Sequence, residues 1–348
     1  MTAALTVVAP GLATTVQDIG RIGFQRQGVP VSGALDRLAL AAANIVVGNA
    51  PGEAALEMLY QGAILTLSGG TARIAVAGCG ATLEIVDDAG TRRIGPLETV
   101  TIGADARAKV TIAGPGIVAY LAVAGGLDLP AVMGSRATYA RARIGGLHGT
   151  RLAARDRLAL SRSAAPTTPE ATLPLPPFVP PTIVRVVLGP QDDYFTPETI
   201  QDFLSTAWRV TPASDRMGVR LDGPPLTHAR GHDIVSDGIA PGAIQIPGDG
   251  RPIVLLADRQ TTGGYPKIAT VISADVPALG RLAPGMAIRF EAITVAAAED
   301  ARRRLEAEIR QWPERVVHKP AGGIDTALLL TANLIDGVID AHGSSAET

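Results

Sequence analysis

The sequence holds a single cysteine, Cys79, among 348 residues. No internal disulfide can form. The thiol ends an apolar run, Ile74 to Cys79, so a buried, reduced side chain and a cytoplasmic location are expected. Aromatic residues are scarce, with two Trp, five Tyr and five Phe, too few and too scattered for base-stacking platforms. Neither sign of charge is in excess: 31 Lys and Arg stand against 33 Asp and Glu. That balance leaves no electrostatic footprint for nucleic acid. Long apolar runs are missing too. The most apolar longer stretch, 116–134, is broken by Gly125, Gly126, Asp128 and Pro130, short of the roughly 18 uninterrupted residues of a membrane span. The N-terminal segment has no basic region and an early Pro10-Gly11, which argues against a signal peptide. There is no Walker A loop, no nucleophile elbow, no paired Cys-x-x-Cys and no Ala-Met-Lys-Met biotin-attachment site.

What is abundant is turn-forming residues, with 39 Gly and 26 Pro. Apolar residues make up 47% and the net charge is −2, which together exclude disorder. Ala, Val, Ile and Leu must build the core, and the length favours two domains. Seven of the prolines fall between Pro166 and Pro181, where no hydrophobic period survives. Proline removes backbone donors and extends the residue before it, so 163–182 reads as a semi-rigid linker. It divides a domain over 1–162 from a second over 183–293, with a helical extension over 294–348.

The expected class is mainly β with few helices (α+β). Short apolar runs at 63–67, 73–77, 99–102, 109–113 and 117–123 recur between Gly, Pro and Asp, the rhythm of a sandwich or barrel. The second half repeats it at 183–188, 243–246, 253–257, 268–273 and 286–290. Ser32 can cap a helix that ends at Gly48-Asn49. Thr196-Pro197-Glu198 opens another, expected to dock through Phe203 and Trp208. Residues 297–312 read as a solvated surface helix, and 324–339 as an amphipathic one. Asp-Arg-Leu-Ala-Leu occurs at 36–40 and again at 156–160; the first copy reads as helix and the second as strand, so the match is chance.

His228-x-x-x-His232-Asp233 has the spacing of a helical metal pair, but Gly231 and Pro224-Pro225 argue for a loop, and no metal is expected. Three glycine-flanked polar blocks remain. The first runs from Pro10 through Gln17, Asp18, Arg21 and Gln25 to Ser32 and Asp36. The second is Ser214-Asp215-Arg216-Met217-Gly218-Val219-Arg220. In the third, an apolar strand ends in Asp258-Arg259-Gln260-Thr261-Thr262, turns through Gly263-Gly264, and re-enters a strand at Lys267. Polar groups crowded at strand ends around a glycine turn commonly build a pocket. Gly263 and Gly264 permit positive φ and close backbone approach to an anion. The plainer alternative is a hairpin with Asp258 and Arg259 in a structural ion pair, and Asp215-Arg216 pinning the turn before Gly218.

These blocks resemble the allophanate hydrolase subunit 2 family, also called the biotin-dependent carboxyltransferase family. The matching stretches are 10–49, 123–138, 189–195, SDRMGVRLDGP (214–224), 234–276 with LADRQTTGGYPK at 256–267, and 282–290. The linker is longer than the family's usual one, and the chain beyond about 310 departs from its pattern. The resemblance implies a strand-rich α+β domain followed by a cyclophilin-like β-barrel. It implies one of three roles. One is the C subunit of a 5-oxoprolinase, which opens 5-oxoproline to glutamate with ATP and with sibling subunits A and B, the nearer being a subunit-1 or KipI-like chain. The second is a carboxyltransferase subunit moving a carboxyl group from carboxybiotin to a urea-like acceptor. The third is a non-catalytic partner of a KipI-like protein.

Lactam, urea and biotin ring share a planar N–C=O group, so the site needs donors for its oxygen and an acceptor for its N–H. On that resemblance the catalytic candidates are Lys267 and Arg259 as oxyanion or phosphate stabilisers. Tyr265 and Gln260 would orient the substrate, and Asp258, or Asp215, would accept its N–H. Arg216 and Arg220 would clamp a carboxylate. Gln245, Thr261, Thr262, Gly263, Gly264, Gln17, Asp18, Arg21 and Ser32 complete the expected substrate-binding set. The apolar face for a sibling subunit is expected at 194–208 or 324–339.

Overall fold

The computed structural model describes residues 2–320; the expected helix at 324–339 lies outside them. The runs read as strands form strands. In the first half, a six-stranded sheet has the order 157–159, 4–9, 64–68, 107–112, 81–87 and 90–94. A five-stranded sheet has the order 13–17, 55–59, 118–123, 71–78 and 99–103. Period-2 alternation decides what each face does. Leu56, Met58, Ala119, Leu121 and Val76 point into a core shared with Leu5, Leu65 and Leu83 of the six-stranded sheet. The alternate residues Ala55, Leu59, Val118, Tyr120 and Ala77 point outward into a second core, which continues into the other half of the molecule.

That second core is organised by helix α1, Arg37–Val46. Its N-cap is Asp36, whose side chain accepts from Leu38 N and Ala39 N, not Ser32. Ser32 sits at φ 56 and donates its hydroxyl to Asp258, so its oxygen is engaged outside the helix. Ala39, Leu40, Ala42 and Ala43 are buried between the five-stranded sheet and the second half. Small residues let the helix backbone approach both.

The second half is a closed seven-stranded barrel in the order 183–188, 267–271, 243–245, 253–255, 218–222, 208–210 and 287–292. Helix α2, Pro197–Ser205, has Thr196 as N-cap and Pro197 at its start. Phe203 on this helix and Trp208 after it form core rather than a docking face for a partner. Phe203 stacks on Phe290 at 4.6 Å. Trp208, on a strand rather than the helix, is buried and donates its indole N–H to Phe203 O. A short helix α3, Val276–Leu279, and a long one, α4, Val295–Gln311, follow. The second Asp-Arg-Leu-Ala-Leu copy holds strand 157–159, as expected.

The proline-rich segment is strapped onto the first half. Strand 99–103 is a sheet edge, and its amides need partners. Glu170 accepts from Thr101 N, Thr99 Oγ1 accepts from Ala171 N, and the Arg73 guanidinium donates to Pro166 O and Pro169 O. The Cys79 thiol, buried as expected, donates to Phe178 O at 2.6 Å.

Candidate functional site

The outward face of the five-stranded sheet carries a facing pair of polar side chains at its centre. Glu57 and Tyr120 are directly opposite each other on neighbouring strands, and both are fully buried. Tyr120 donates to Glu57 Oε2 at 2.6 Å and accepts from Asp36 N at 2.9 Å. Glu57 Oε2 also accepts from Leu35 N. From the barrel side, Arg216 reaches in on the turn before strand 218–222. It donates to Glu57 Oε1, to Gly33 O at 2.7 Å, and to both oxygens of Asp258 at 2.8 and 3.0 Å. Ser32 donates to Asp258 Oδ1 at 2.5 Å. Arg281 closes the other end on Asp36 at 2.6 Å.

The result is one polar chain across the junction of the halves: Arg281, Asp36, Tyr120, Glu57, Arg216, Asp258, Ser32. Burial alone would lower the Arg216 pKa, but Glu57 and Asp258 outweigh it and raise it far above the ordinary guanidinium value. Burial, then the Glu57 charge, pushes the Tyr120 phenol well up, so it stays a donor.

A cavity of about 410 Å³ opens onto this chain, with Arg216, Asp258, Thr138, Thr15, Asp215 and Tyr60 among its walls. Thr138 Oγ1 is buried with no partner among the described residues. Arg141 and Arg151, both exposed, also line the space. An anchored carboxylate can accept the N–H of a planar amide, while a guanidinium and an uncommitted hydroxyl can donate to its carbonyl oxygen.

The expected site residues separate into distinct groups. Asp258 and Arg259 are not an ion pair: Asp258 is held by Arg216, whereas Arg259 donates to Ile239 O, Leu256 O and Gln25 Oε1. Residues 256–259 form a turn in which Arg259 N donates to Leu256 O at 3.4 Å, and Arg259 lines a second cavity together with Ser32. Asp215 pins the turn as the plainer reading had it, accepting from Met217 N and Gly218 N. Arg216 is not its partner. Arg220 is exposed and lines neither cavity.

Lys267 forms a third group. Its side chain is 3% exposed and its ammonium binds Asp237 at 3.0 Å, and that hydrogen bond holds the Asp237 carboxyl below its usual range. Gln260 donates to Gln245, which lies beside Gly263. Thr262-Gly263 pairs with Asp237-Gly238, Thr261 O accepts from Ile239 N, and Tyr265 is exposed. Gly263 and Gly264 are not among the positive-φ glycines. A Cβ at Gly263 would stand 2.6 Å from Gln245 Nε2, so the Gln245 side chain would have to shift to admit one.

In the first block, Gln17 and Asp18 are buried anchors. Gln17 donates to Thr138 O, and Asp18 accepts from Gly20 N, Ser135 Oγ and Arg136 N. Arg21 is buried and donates to Ala137 O. His228 lies in a loop against Phe195, and no cluster of metal-ligating side chains exists among the described residues.

Reading the sequence did not single out Glu57, Tyr120 or Arg281, and left Asp36 in the first polar block without its partners. The available signals were a lone acid inside the apolar Ala55–Leu59 run and a lone tyrosine inside Val118–Val123.

The carboxyltransferase domain family, subdomains A and B, matches residues 27–292. The chain belongs to that family. It is 37% identical to the 5-oxoprolinase C subunit of Escherichia coli (strain K12) over 86% of this chain and 94% of that one. It is 32% identical to urea amidolyase of Lachancea kluyveri over 88% of this chain, but that covers only 18% of the relative. The crystal structure of the Kluyveromyces lactis urea carboxylase superposes with a TM-score of 0.80 at 30% identity, covering 89% of this chain and 29% of that one. As a family member the chain is related both to a separate 5-oxoprolinase subunit and to a region of urea carboxylases. No helix among the described residues is long and apolar enough to cross a membrane.

Proposed function

We propose that this chain is the C subunit of an ATP-dependent 5-oxoprolinase that opens 5-oxoproline to glutamate together with sibling subunits A and B. The observation that carries the reading is the similarity to the 5-oxoprolinase C subunit of Escherichia coli, 37% identical along 94% of that relative, against 32% along 18% of a urea amidolyase. The 410 Å³ cavity supplies what a small lactam acid requires. Arg141 and Arg151 hold the substrate carboxylate, a task suited to guanidinium groups. Asp258 Oδ2 retains a lone pair for the lactam N–H. Thr138 and Arg216 face the carbonyl oxygen as charge develops there. ATP, bound by the complex, supplies the driving force for breaking an unstrained amide. Lys267, with Gln260 and Tyr265, is the second candidate for stabilising that oxygen.

A carboxyl transfer from carboxybiotin to a urea-like acceptor is the competing reading. The urea amidolyase relatives favour it, because urea presents the same N–C=O plane. The test is reconstitution of the chain with its sibling A and B subunits. The expected result is ATP-dependent glutamate release from 5-oxoproline, lowered in kcat by about 100-fold or more in Asp258→Asn. No release, alongside biotin-dependent incorporation of bicarbonate into urea, would replace this reading with the other. Lys267→Ala, checked for fold by circular dichroism, decides the second candidate. A fall in kcat puts Lys267 in the reacting centre, and full activity leaves the chemistry to the cavity of Asp258.

A further inference from the structure

The residue after Asp258 faces another space. A cavity of about 580 Å³ lies among α1, α3, α4 and the barrel, within the size range of small-molecule sites. Its walls are mostly aliphatic, with Leu35, Leu38, Val271, Val276, Leu305 and Ile309 among them. Three guanidinium groups, Arg37, Arg259 and Arg302, share this space with one carboxylate, Glu306. Glu306 is committed to Arg302 one helical turn away on α4. Arg259 is only 2% exposed, and every hydrogen bond it makes goes to a neutral acceptor: two carbonyls and the Gln25 amide, at 3.2 to 3.3 Å. Burial, then the Arg37 charge, lowers its pKa to about 10. Burial and Arg302 lower that of Arg37 as well.

Buried charges in folded proteins are paired, and with Glu306 committed to Arg302 the cavity holds no carboxylate among the described residues for Arg259 and Arg37. We propose that this cavity binds an organic anion whose carboxylate or phosphate head meets Arg259 and Arg37 and whose aliphatic body fills the space under α4. The inference stands apart from the reaction assigned to the neighbouring cavity: it rests on a different volume and on Arg259 rather than Asp258.

Titration calorimetry on the full chain tests it, with sodium octanoate, octyl phosphate and the neutral isostere 1-octanol as probes. Saturable one-to-one binding of octanoate or octyl phosphate is expected, at least tenfold tighter than 1-octanol. Arg259→Met should weaken the anion at least tenfold and leave 1-octanol unchanged. Arg37→Met gives the same comparison if Arg259→Met does not fold. Preference for one anion over the other identifies the head group. Equal binding of all three probes, anion binding unchanged in both variants, or no saturable anion binding would overturn the proposal.

Discussion

Arg216 and Arg259 are two arginines of the same barrel, both brought to the junction of the halves, and they are treated oppositely. Arg216 meets Glu57 from the sandwich sheet and Asp258 from its own half. Those charges override burial and raise its pKa. Arg259 meets only neutral acceptors, and burial lowers its pKa to about 10. A cation whose anions are built into the fold ties the halves together. A cation without them is left to an anion from outside. The residues responsible, Asp258 and Arg259, are neighbours in sequence and line different cavities.

The comparison can be broken most severely at Arg216. Arg216→Met leaves Glu57 and Asp258 buried without their cation and should destabilise by about 3–5 kcal/mol in urea unfolding. The Arg216 charge itself adds no pH dependence near neutrality. A pKa raised in the folded state contributes stability that is fully present below the unfolded value, here the ordinary guanidinium one, far above neutrality. Tyr120→Phe should cost about 1–3 kcal/mol by the same measurement, because it strips the hydrogen bonds to Glu57 and Asp36 from a buried site. The smallest effect is at Cys79. Burial pushes its thiol up to about 11, so a thiol reagent at neutral pH should label it only on unfolding, at the global unfolding rate.

Much of the fold was legible because it rests on local pattern. The ten strand runs, the Thr196 cap and the solvated α4 follow from alternation, capping chemistry and charge. What was not legible depends on pairing across the chain. Ser32 and Asp36 are both good helix caps, and the choice was made by Asp258, far away in sequence, which takes the Ser32 hydroxyl. Asp258 and Arg259 looked like an ion pair because they are adjacent, yet on the 256–259 turn each finds its own partners across the chain. Glu57 and Tyr120 acquire meaning only through the register that sets them opposite each other. The aromatics of 194–208 read as a docking face and proved to be barrel core, since hydrophobicity alone does not distinguish an interior from an interface.

The contrast between the two arginines is tested most directly by the urea-unfolding free energy of Arg259→Met against the unchanged chain at neutral pH. A base whose folded pKa is lowered to about 10 carries an unfavourable term that is complete at neutral pH. The term fades as pH rises from there to the ordinary guanidinium value. It is on the order of 3 kcal/mol, partly offset by the hydrogen bonds the guanidinium makes. The account predicts a variant about 1–2 kcal/mol more stable than the unchanged chain. A loss comparable to that of Arg216→Met would contradict it.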